Sequence, residues 1–190
     1  MAQSILDTLQ SLTTSDFVRT TARQLGESED AVATALSGAG AVLLARLAQL
    51  SGDGPVMTRV AGLIEPVRNN EWQEFTGEDD PRGYSRPPLA EPVTPERSAL
   101  KLGRGTALLN VVVGPRLLGL VDGLAGHAAI SPTSARAVIG HAAPLVLKAL
   151  GVRLDHLTLD PVGLAPTGRQ LADLLSRERE ILGRSVPLPF

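Results

Sequence analysis

Two apolar stretches of the chain, residues 1–65 and 106–190, align with each other without a gap at an offset of 103 residues. In both stretches apolar residues recur every three or four positions, which is the spacing of amphipathic helices. The identical pairs include Val18 with Val121, Ala22 with Ala125, Ser28 with Ser131, Ala39 with Ala142, Leu44 with Leu147 and Leu47 with Leu150. Because the matched serine stands at a helix boundary in each stretch, we interpret the pattern as a duplication. The sequence therefore predicts an all-α fold, a duplicated bundle of short helices.

The segment around Gly26 has the spacing of a helix-turn-helix. A helix is predicted over Asp16–Leu25, with Gly26 as its C-terminal stop and Ser28 as the N-cap of the next helix. Ala22 is small where two helices would cross, and Val32 is apolar on the second helix. We expect the two helices of each unit to cross closely.

Both units predict that the helix after this serine is broken. In the first unit Gly38 and Gly40 indicate an end, with a new helix over Ala41–Leu50. In the second unit Pro144 occupies the equivalent position and is interpreted as the start of a helix. Each unit should therefore be a compact bundle of short helices.

Three further helix boundaries are predicted by local signals. Ser131 and Pro132 have the residue types of an N-cap and the first helical position. Two tail helices are expected, over about Val56–Ile64 and Gly168–Leu182, with Thr167 as the cap of the second.

Residues 66–105 interrupt the periodic pattern and divide the chain. This segment is polar and contains Pro66, Pro81, Pro87, Pro88, Pro92 and Pro95. Because proline removes a backbone donor and clashes within a helix, we predict a linker or long loop here. The predicted organisation is helical repeat 1 over residues 1–65, a Pro-rich insert over 66–105, and helical repeat 2 with a C-terminal helix and tail over 106–190.

The aromatic residues are few and unusually placed. Trp72, Phe75 and Tyr84 lie in the polar insert, and Phe190 ends the segment Val186-Pro187-Leu188-Pro189-Phe190. Large rings on polar tethers either fold back on their own chain or dock in a groove of another subunit. These four residues are the candidate interaction anchors.

Composition excludes several classes of chemistry. The chain has no cysteine, which excludes disulfides, thiolate metal sites and a cysteine nucleophile. Its formal net charge of −2 offers no electrostatic reason to bind nucleic acid or an anionic membrane. The N-terminal residues have no positive region before a long apolar core, so no secretory signal is expected.

A membrane span is also not expected. The longest apolar stretch, Thr106–Ile130, is interrupted by Asn110, Pro115, Arg116, Asp122 and His127. A charge at bilayer depth costs roughly 2.5–3.5 kcal/mol. The sequence therefore predicts a soluble, cytoplasmic protein.

Several motifs together resemble the YidB-like proteins, a bacterial family catalogued as a domain of unknown function. The motifs are Gly26-x-Ser28, Leu43-Leu44-x-x-Leu47, Ala129-x-Ser131, Ala142-Ala143-Pro144-Leu145-Val146-Leu147-x-x-Leu150 and Leu171-x-x-Leu174-Leu175. The resemblance covers most of the chain outside residues 66–105 and implies an all-helical fold with a homeodomain-like local arrangement. It implies no activity, cofactor or catalytic residue. The long Pro-rich insert departs from the family pattern.

No recognisable catalytic or cofactor site emerges. Asp155, His156 and Asp160 could form a base with its orienting carboxylate, but Gly151–Pro166 is interpreted as a loop, and no serine or threonine nucleophile stands at a recognised spacing. Gly103-Arg104-Gly105-Thr106 lacks the ending of a phosphate-binding loop and is interpreted as a helix start. We predict no catalytic residue and no cofactor.

A metal site is not predicted either. His127 and His141 fall within helices of the second unit, where the first unit has Gln24 and Gly38. Histidine–carboxylate zinc spacing is absent from the sequence. We therefore predict no metal site. Because no catalytic residue is predicted either, we expect a non-catalytic protein.

Three function classes remain. They are a nucleic-acid-binding protein, a protein-interaction scaffold, and an enzyme or small-molecule binder without a recognisable motif. Helix-turn-helix binding of nucleic acid is disfavoured because the would-be recognition helix begins Glu27-Ser28-Glu29-Asp30 and presents no base-reading side chain, while the second unit offers only Arg136. A self-associating scaffold or protein-interaction module fits the duplication and the aromatic anchors better. The expected partner is a protein, either a second copy or a heterologous one.

Overall fold

The computed structural model describes residues 4–68, 95–157 and 167–184. This part of the chain contains eight α-helices, two 3₁₀ turns and no strand, which confirms the all-α class. The helices are α1 (Ile5–Leu12), α2 (Ser15–Leu25), α3 (Glu29–Gln49), α4 (Gly54–Arg68), α5 (Pro95–Val112), α6 (Leu117–Ala128), α7 (Pro132–Leu157) and α8 (Gly168–Arg184). The 3₁₀ turns are Leu50–Gly52, after α3, and Gly114–Arg116, before α6.

The two longest helices, α3 and α7, form the centre of the fold. They pack against each other, and α7 also contacts α1, α4, α5 and α6. The largest fully buried side chains include Leu43, Leu44 and Leu47 from α3 and Ile139, Leu147 and Leu150 from α7. These residues belong to one continuous apolar cluster. Burying each such side chain stabilises the fold by about 1.5–3 kcal/mol, so the core rests on α3 and α7.

Local sequence explains where the helices begin. The hydroxyl oxygens of Ser4, Thr14, Ser28 and Thr167 each accept a hydrogen bond from a backbone N–H in the first turn of the helix that follows. At α1 the cap is reciprocal, because the Asp7 carboxylate accepts from the Ser4 N–H at 2.9 Å. That bond and a second one from the Ser4 hydroxyl lower the pKa of Asp7. The predicted caps at Ser28 and Thr167 are confirmed.

The predicted helix ends are confirmed at α2 and differ at α3. Gly26 ends α2 in the left-handed conformation, with φ of 68°. The predicted break at Gly38 and Gly40 is wrong, since α3 runs unbroken from Glu29 to Gln49. A Cβ at Gly38 would lie 3.3 Å from Leu124, and one at Gly40 would collide with the Leu9 side chain. These glycines let neighbouring helices approach, and the contacts so gained offset the low helix propensity of glycine.

A second correction concerns α7, which also continues where a break was predicted. Pro144 lies inside the helix and does not start it, and α7 extends to Leu157 through the first part of the predicted loop. The Pro144 ring packs beside Gly105 of α5, where an added Cβ would lie 3.0 Å from the ring. Extensive burial on both sides of the proline outweighs the one backbone hydrogen bond that it removes.

The helices also reach into the segment predicted to be a linker. α4 continues to Arg68, and α5 begins at Pro95, so Gly103-Arg104-Gly105-Thr106 lies within α5 and does not start a helix. Pro95 occupies the first helical position, where a missing N–H has no cost. The predicted tail helices are confirmed as α4 and α8, each somewhat longer than expected.

Two helices of the described chain are long and apolar enough to cross a membrane, judged by length and composition alone. They are the segments Glu29–Gly52 and Pro132–Leu154, whose most apolar windows are 72% and 61% buried inside the protein. A bent pair, Gly103–Val112 with Gly114–Ala128, makes a third if it counts as one span. The first two segments contain the core helices α3 and α7.

Candidate interaction surface

An open pocket lies where α1, α2 and α3 meet. Its volume is about 190 Å³, and its lining residues are Leu6, Leu9, Gln10, Thr13, Val18, Ala33 and Ser37. Positions 6, 9 and 10 of α1 and its C-cap at position 13 share one face, since they are spaced by three or four residues. The pocket is therefore built from a single face of α1 closed by α2 and α3.

The pocket has an apolar interior and a polar edge. Leu9 and Val18 are buried, Leu6 and Ala33 are half-buried, and Gln10 and Ser37 are exposed. The Thr13 hydroxyl donates to the Leu9 carbonyl at 3.0 Å, and its oxygen can still accept a hydrogen bond. Such a surface suits an apolar side chain whose backbone takes hydrogen bonds at the rim.

A buried charged cluster joins α8 to the start of α1. The Glu178 carboxylate, 7% exposed, accepts a hydrogen bond from the Ile5 backbone N–H at 2.7 Å and lies 3.6 Å from the Arg153 guanidinium. The Arg153 Nε atom is buried and has no hydrogen-bond partner. Ile5 is the first residue of α1, so this cluster holds the N-terminus of α1 in place. α1 is the helix that supplies most of the pocket lining.

A second set of polar contacts joins α8 to the end of α3. The Arg179 guanidinium donates to the Ala48 carbonyl at 2.9 Å and to the Ser51 hydroxyl at 2.6 Å. The Ser176 hydroxyl lies 3.2 Å from the same serine oxygen. These bonds and the buried leucines of α8 hold it against α3 and α4.

The turns before α3 and α7 are joined by one carboxylate. Glu27 accepts from the Ser131 backbone N–H at 3.1 Å. Hydrogen bonds from the Ser134 hydroxyl and from that N–H lower the pKa of Glu27. The Ser131 hydroxyl also accepts from the Ser134 N–H at 3.0 Å, which is the predicted N-cap of α7.

His141 contacts α2 through its aromatic ring. Its imidazole meets Phe17 edge to face, with the ring centroids 6.1 Å apart at 86°. Burial lowers the pKa of His141 because the protein interior solvates a positive charge poorly. This histidine packs α7 against α2.

The other residues singled out by the sequence are dispersed. The four candidate anchors Trp72, Phe75, Tyr84 and Phe190 lie outside the described residues. Asp160 also lies outside the described residues. Asp155 and His156 belong to the last turns of α7. His127 is exposed on α6 beside Gly38. In the part of the chain that the structure describes, no three His, Asp or Glu side chains are grouped to hold a metal ion.

The helix-turn-helix spacing corresponds to α2, the Gly26 turn and α3. Most of α3 is buried, and Glu29 and Asp30 are exposed in its first turn. Arg19 lies 3.0 Å from Asp16 and 3.8 Å from Glu29, so its charge is already matched by carboxylates. This arrangement places negative charge at the exposed end of α3.

Sequence reasoning missed the pocket for a physical reason. Leu6, Leu9, Gln10 and Thr13 have ordinary amphipathic spacing, and only the packing angles of α1, α2 and α3 leave a gap between them. The charged cluster had no sequence signal, because Arg153 and Glu178 are 25 positions apart.

The helices and the pocket define an all-helical protein with an open apolar surface on its N-terminal helices. The model of a family described as bacterial proteins of unknown function, DUF937, matches residues 7–153. Because this match covers well over half of the chain, the protein belongs to that family. Comparisons with curated proteins and with solved structures gave no significant match.

Proposed function

We propose that this protein is a non-catalytic helical scaffold or protein-interaction module that associates with itself. The observation that carries the proposal is the open pocket between α1, α2 and α3, because most large apolar side chains of the described residues are buried in the core. An exposed apolar concavity is typical of a surface that binds a partner. The aromatic anchors Trp72, Phe75, Tyr84 and Phe190 are the ligands that the sequence offers for such surfaces.

The proposal includes a duplicated, homeodomain-like arrangement of the YidB-like type. Supporting it, the residues that end α2 and α6, Gly26 and Ala129, both have left-handed backbones, with φ of 68° and 53°. Glu27 donates its N–H to the Ala22 carbonyl, and Ile130 donates to the Ala125 carbonyl. Ala22 and Ala125, Gly26 and Ala129, and Glu27 and Ile130 are each 103 positions apart, which is the offset of the sequence alignment. Shared backbone geometry at a constant offset favours duplication over coincidence.

The proposal also places the protein in the cytoplasm as a soluble molecule. α3 and α7 pack on each other and on other helices of the same chain, as core helices of a water-soluble bundle do. A helix that spans a bilayer alone would expose its apolar surface to lipid. Partition of the expressed protein between the soluble and membrane fractions tests this part.

Nucleic-acid binding is the first alternative. The exposed acidic first turn of α3 would repel phosphates, and the paired Arg19 offers little free positive charge. A small-molecule binder or enzyme is the second alternative, and the pocket is also its best support. A gel-shift assay with mixed-sequence duplex DNA at low salt tests the first, and a fragment screen by NMR tests the second.

The deciding experiment is light scattering of the purified full chain over a wide concentration range, in low and moderate salt. Self-association predicts a mass that rises from about 20 kDa, the monomer mass, toward a defined multiple. Retention of the larger mass in moderate salt would indicate an apolar interface, since screening weakens charge contacts. A strict monomer at all concentrations contradicts self-association and leaves a heterologous protein partner.

A further inference from the structure

The pocket between α1, α2 and α3 has the size and lining to hold one aromatic ring. An apolar cavity of about 150 Å³ can bind benzene. This pocket measures about 190 Å³ and is lined by apolar side chains of three helices. A phenyl ring would displace water from Leu6, Leu9 and Val18, which is the favourable step in such binding.

The C-terminal segment, residues 185–190, follows α8, whose Glu178 contacts the start of α1. The Glu178 carboxylate contacts the Ile5 N–H at 2.7 Å, so the last turns of α8 lie at the same end of the molecule as the start of α1. From Glu178 to Arg184 the helix advances about 9 Å. The six residues 185–190 can extend about 20 Å. Since this reach exceeds the advance from Glu178 to Arg184, Phe190 can return to the start of α1, where Leu6 lines the pocket.

The chemistry of residues 185–190 also matches the pocket. The segment Ser-Val-Pro-Leu-Pro-Phe has no charged side chain, and Phe190 is its one aromatic ring. Proline restricts φ, so a chain with two prolines loses less conformational freedom when it binds. Because proline has no backbone N–H, this segment has more carbonyl acceptors than N–H donors. The side chains of Gln10 and Ser37 at the rim can donate hydrogen bonds to these carbonyls.

We propose that this pocket is the receptor for Phe190 of the C-terminal segment. Exchange of the segment between two copies rests on the proposed self-association. In a two-fold dimer whose interface includes the pocket, each copy's Phe190 would be seated in the other's pocket. The recognition of Phe190 by the pocket does not depend on that exchange.

The test is an NMR titration of the full ¹⁵N-labelled chain carrying Phe190→Ala with the synthetic peptide Ser-Val-Pro-Leu-Pro-Phe. The substitution removes the competing ring of the chain's own segment. We expect saturable shift changes concentrated at Leu6, Leu9, Ala33 and Ser37. A peptide with alanine in place of its phenylalanine should bind at least about tenfold more weakly, because most of the buried apolar area is lost.

A pair of substitutions on α3 locates the binding. Adding Ala33→Leu fills the pocket and should weaken peptide binding by about tenfold or more. Adding Thr34→Leu, at the next and exposed position, introduces the same side chain outside the pocket and should leave binding unchanged. If thermal melting shows that Ala33→Leu unfolds the chain, Leu6→Gln makes the pocket wall polar and serves in its place.

The outcomes are separable from those of the proposed function. Absence of shifts at the pocket at the highest peptide concentration, or equal binding by the Ala33 and Thr34 variants, overturns the pocket assignment. If the peptide binds at the pocket while light scattering shows a strict monomer, the recognition stands and self-association fails. If the chain associates but the peptide does not bind, self-association stands and the assignment of Phe190 to the pocket fails.

Discussion

The carboxylate of Glu27 accepts a hydrogen bond from the backbone N–H of Ser131 at 3.1 Å, across 104 positions of the sequence. Glu27 lies in the turn between α2 and α3, and Ser131 is the N-cap of α7. One side chain thus links the two turns that the sequence alignment places in equivalent positions. A negative charge beside the N-terminus of α7 is also favoured by the helix dipole.

We first predict that Glu27→Ala lowers the melting temperature by a few degrees at neutral pH, because the Ser131 N–H loses its acceptor. Glu27→Gln keeps an acceptor oxygen and should restore part of the loss. Differential scanning calorimetry at pH 7 measures both. Equal melting temperatures for Glu27→Ala and the parent chain would contradict a stabilising role.

The same carboxylate should respond to acid. Its folded pKa is lowered from the ordinary value of 4.5, so its stabilisation is present above that value and is lost as the pH falls through the folded pKa. The difference in stability between the parent chain and Glu27→Gln should therefore shrink below about pH 4.5. Chemical denaturation at a series of pH values measures this.

Our second prediction reverses the usual effect of replacing a helical glycine. A Cβ at Gly168 would lie 2.8 Å from the Thr58 backbone nitrogen, so Gly168→Ala forces α8 away from α4 and should destabilise the protein by about 1–3 kcal/mol. A Cβ at Gly123, inside α6, meets nothing within 4 Å. Gly123→Ala should instead stabilise by about 0.5–1 kcal/mol.

Urea denaturation of the two variants provides a matched comparison, since each adds one methyl group to a helix. Opposite signs are expected. A stabilising Gly168→Ala would mean that α8 and α4 are less closely packed than the structure shows.

The third prediction concerns the buried pair of Glu178 and Arg153. Glu178→Leu leaves the Arg153 charge and the Ile5 N–H without their acceptor and should cost about 3–5 kcal/mol. The double variant Glu178→Leu with Arg153→Met removes both charges and should recover much of that loss. A double-mutant cycle by urea denaturation measures the coupling. Additive effects would show that the two side chains do not interact.

The fourth prediction concerns pH and His141. Its folded pKa is lowered from 6.5 by burial, so the neutral ring favours the fold above that value. Stability should fall as the pH drops from about 6.5 toward the folded pKa, because the unfolded chain binds the proton more readily. His141→Phe should flatten the stability profile below about pH 6.5. His127→Phe makes the same substitution at an exposed position and is the matched control.

Much of the helical order was determined by the sequence itself. The caps at Ser28 and Thr167 and the stop at Gly26 are local interactions, formed by groups within a few residues of each other. Such contacts depend on residue type and spacing, and the apolar period identifies the helices between them. The all-α class and the boundaries of α2 and of the start of α8 followed from these signals.

Only the tertiary structure decided where helices continue and what they enclose. Gly38, Gly40 and Pro144 are breaking signals in isolation, yet α3 and α7 pass through them, because burial against α1, α5 and α6 outweighs a local cost of about 1–3 kcal/mol. The pocket, the Glu27–Ser131 bond and the Glu178–Arg153 pair join residues distant in sequence. A periodic pattern specifies which face of a helix is apolar, whereas packing angles decide which faces meet and where a gap remains.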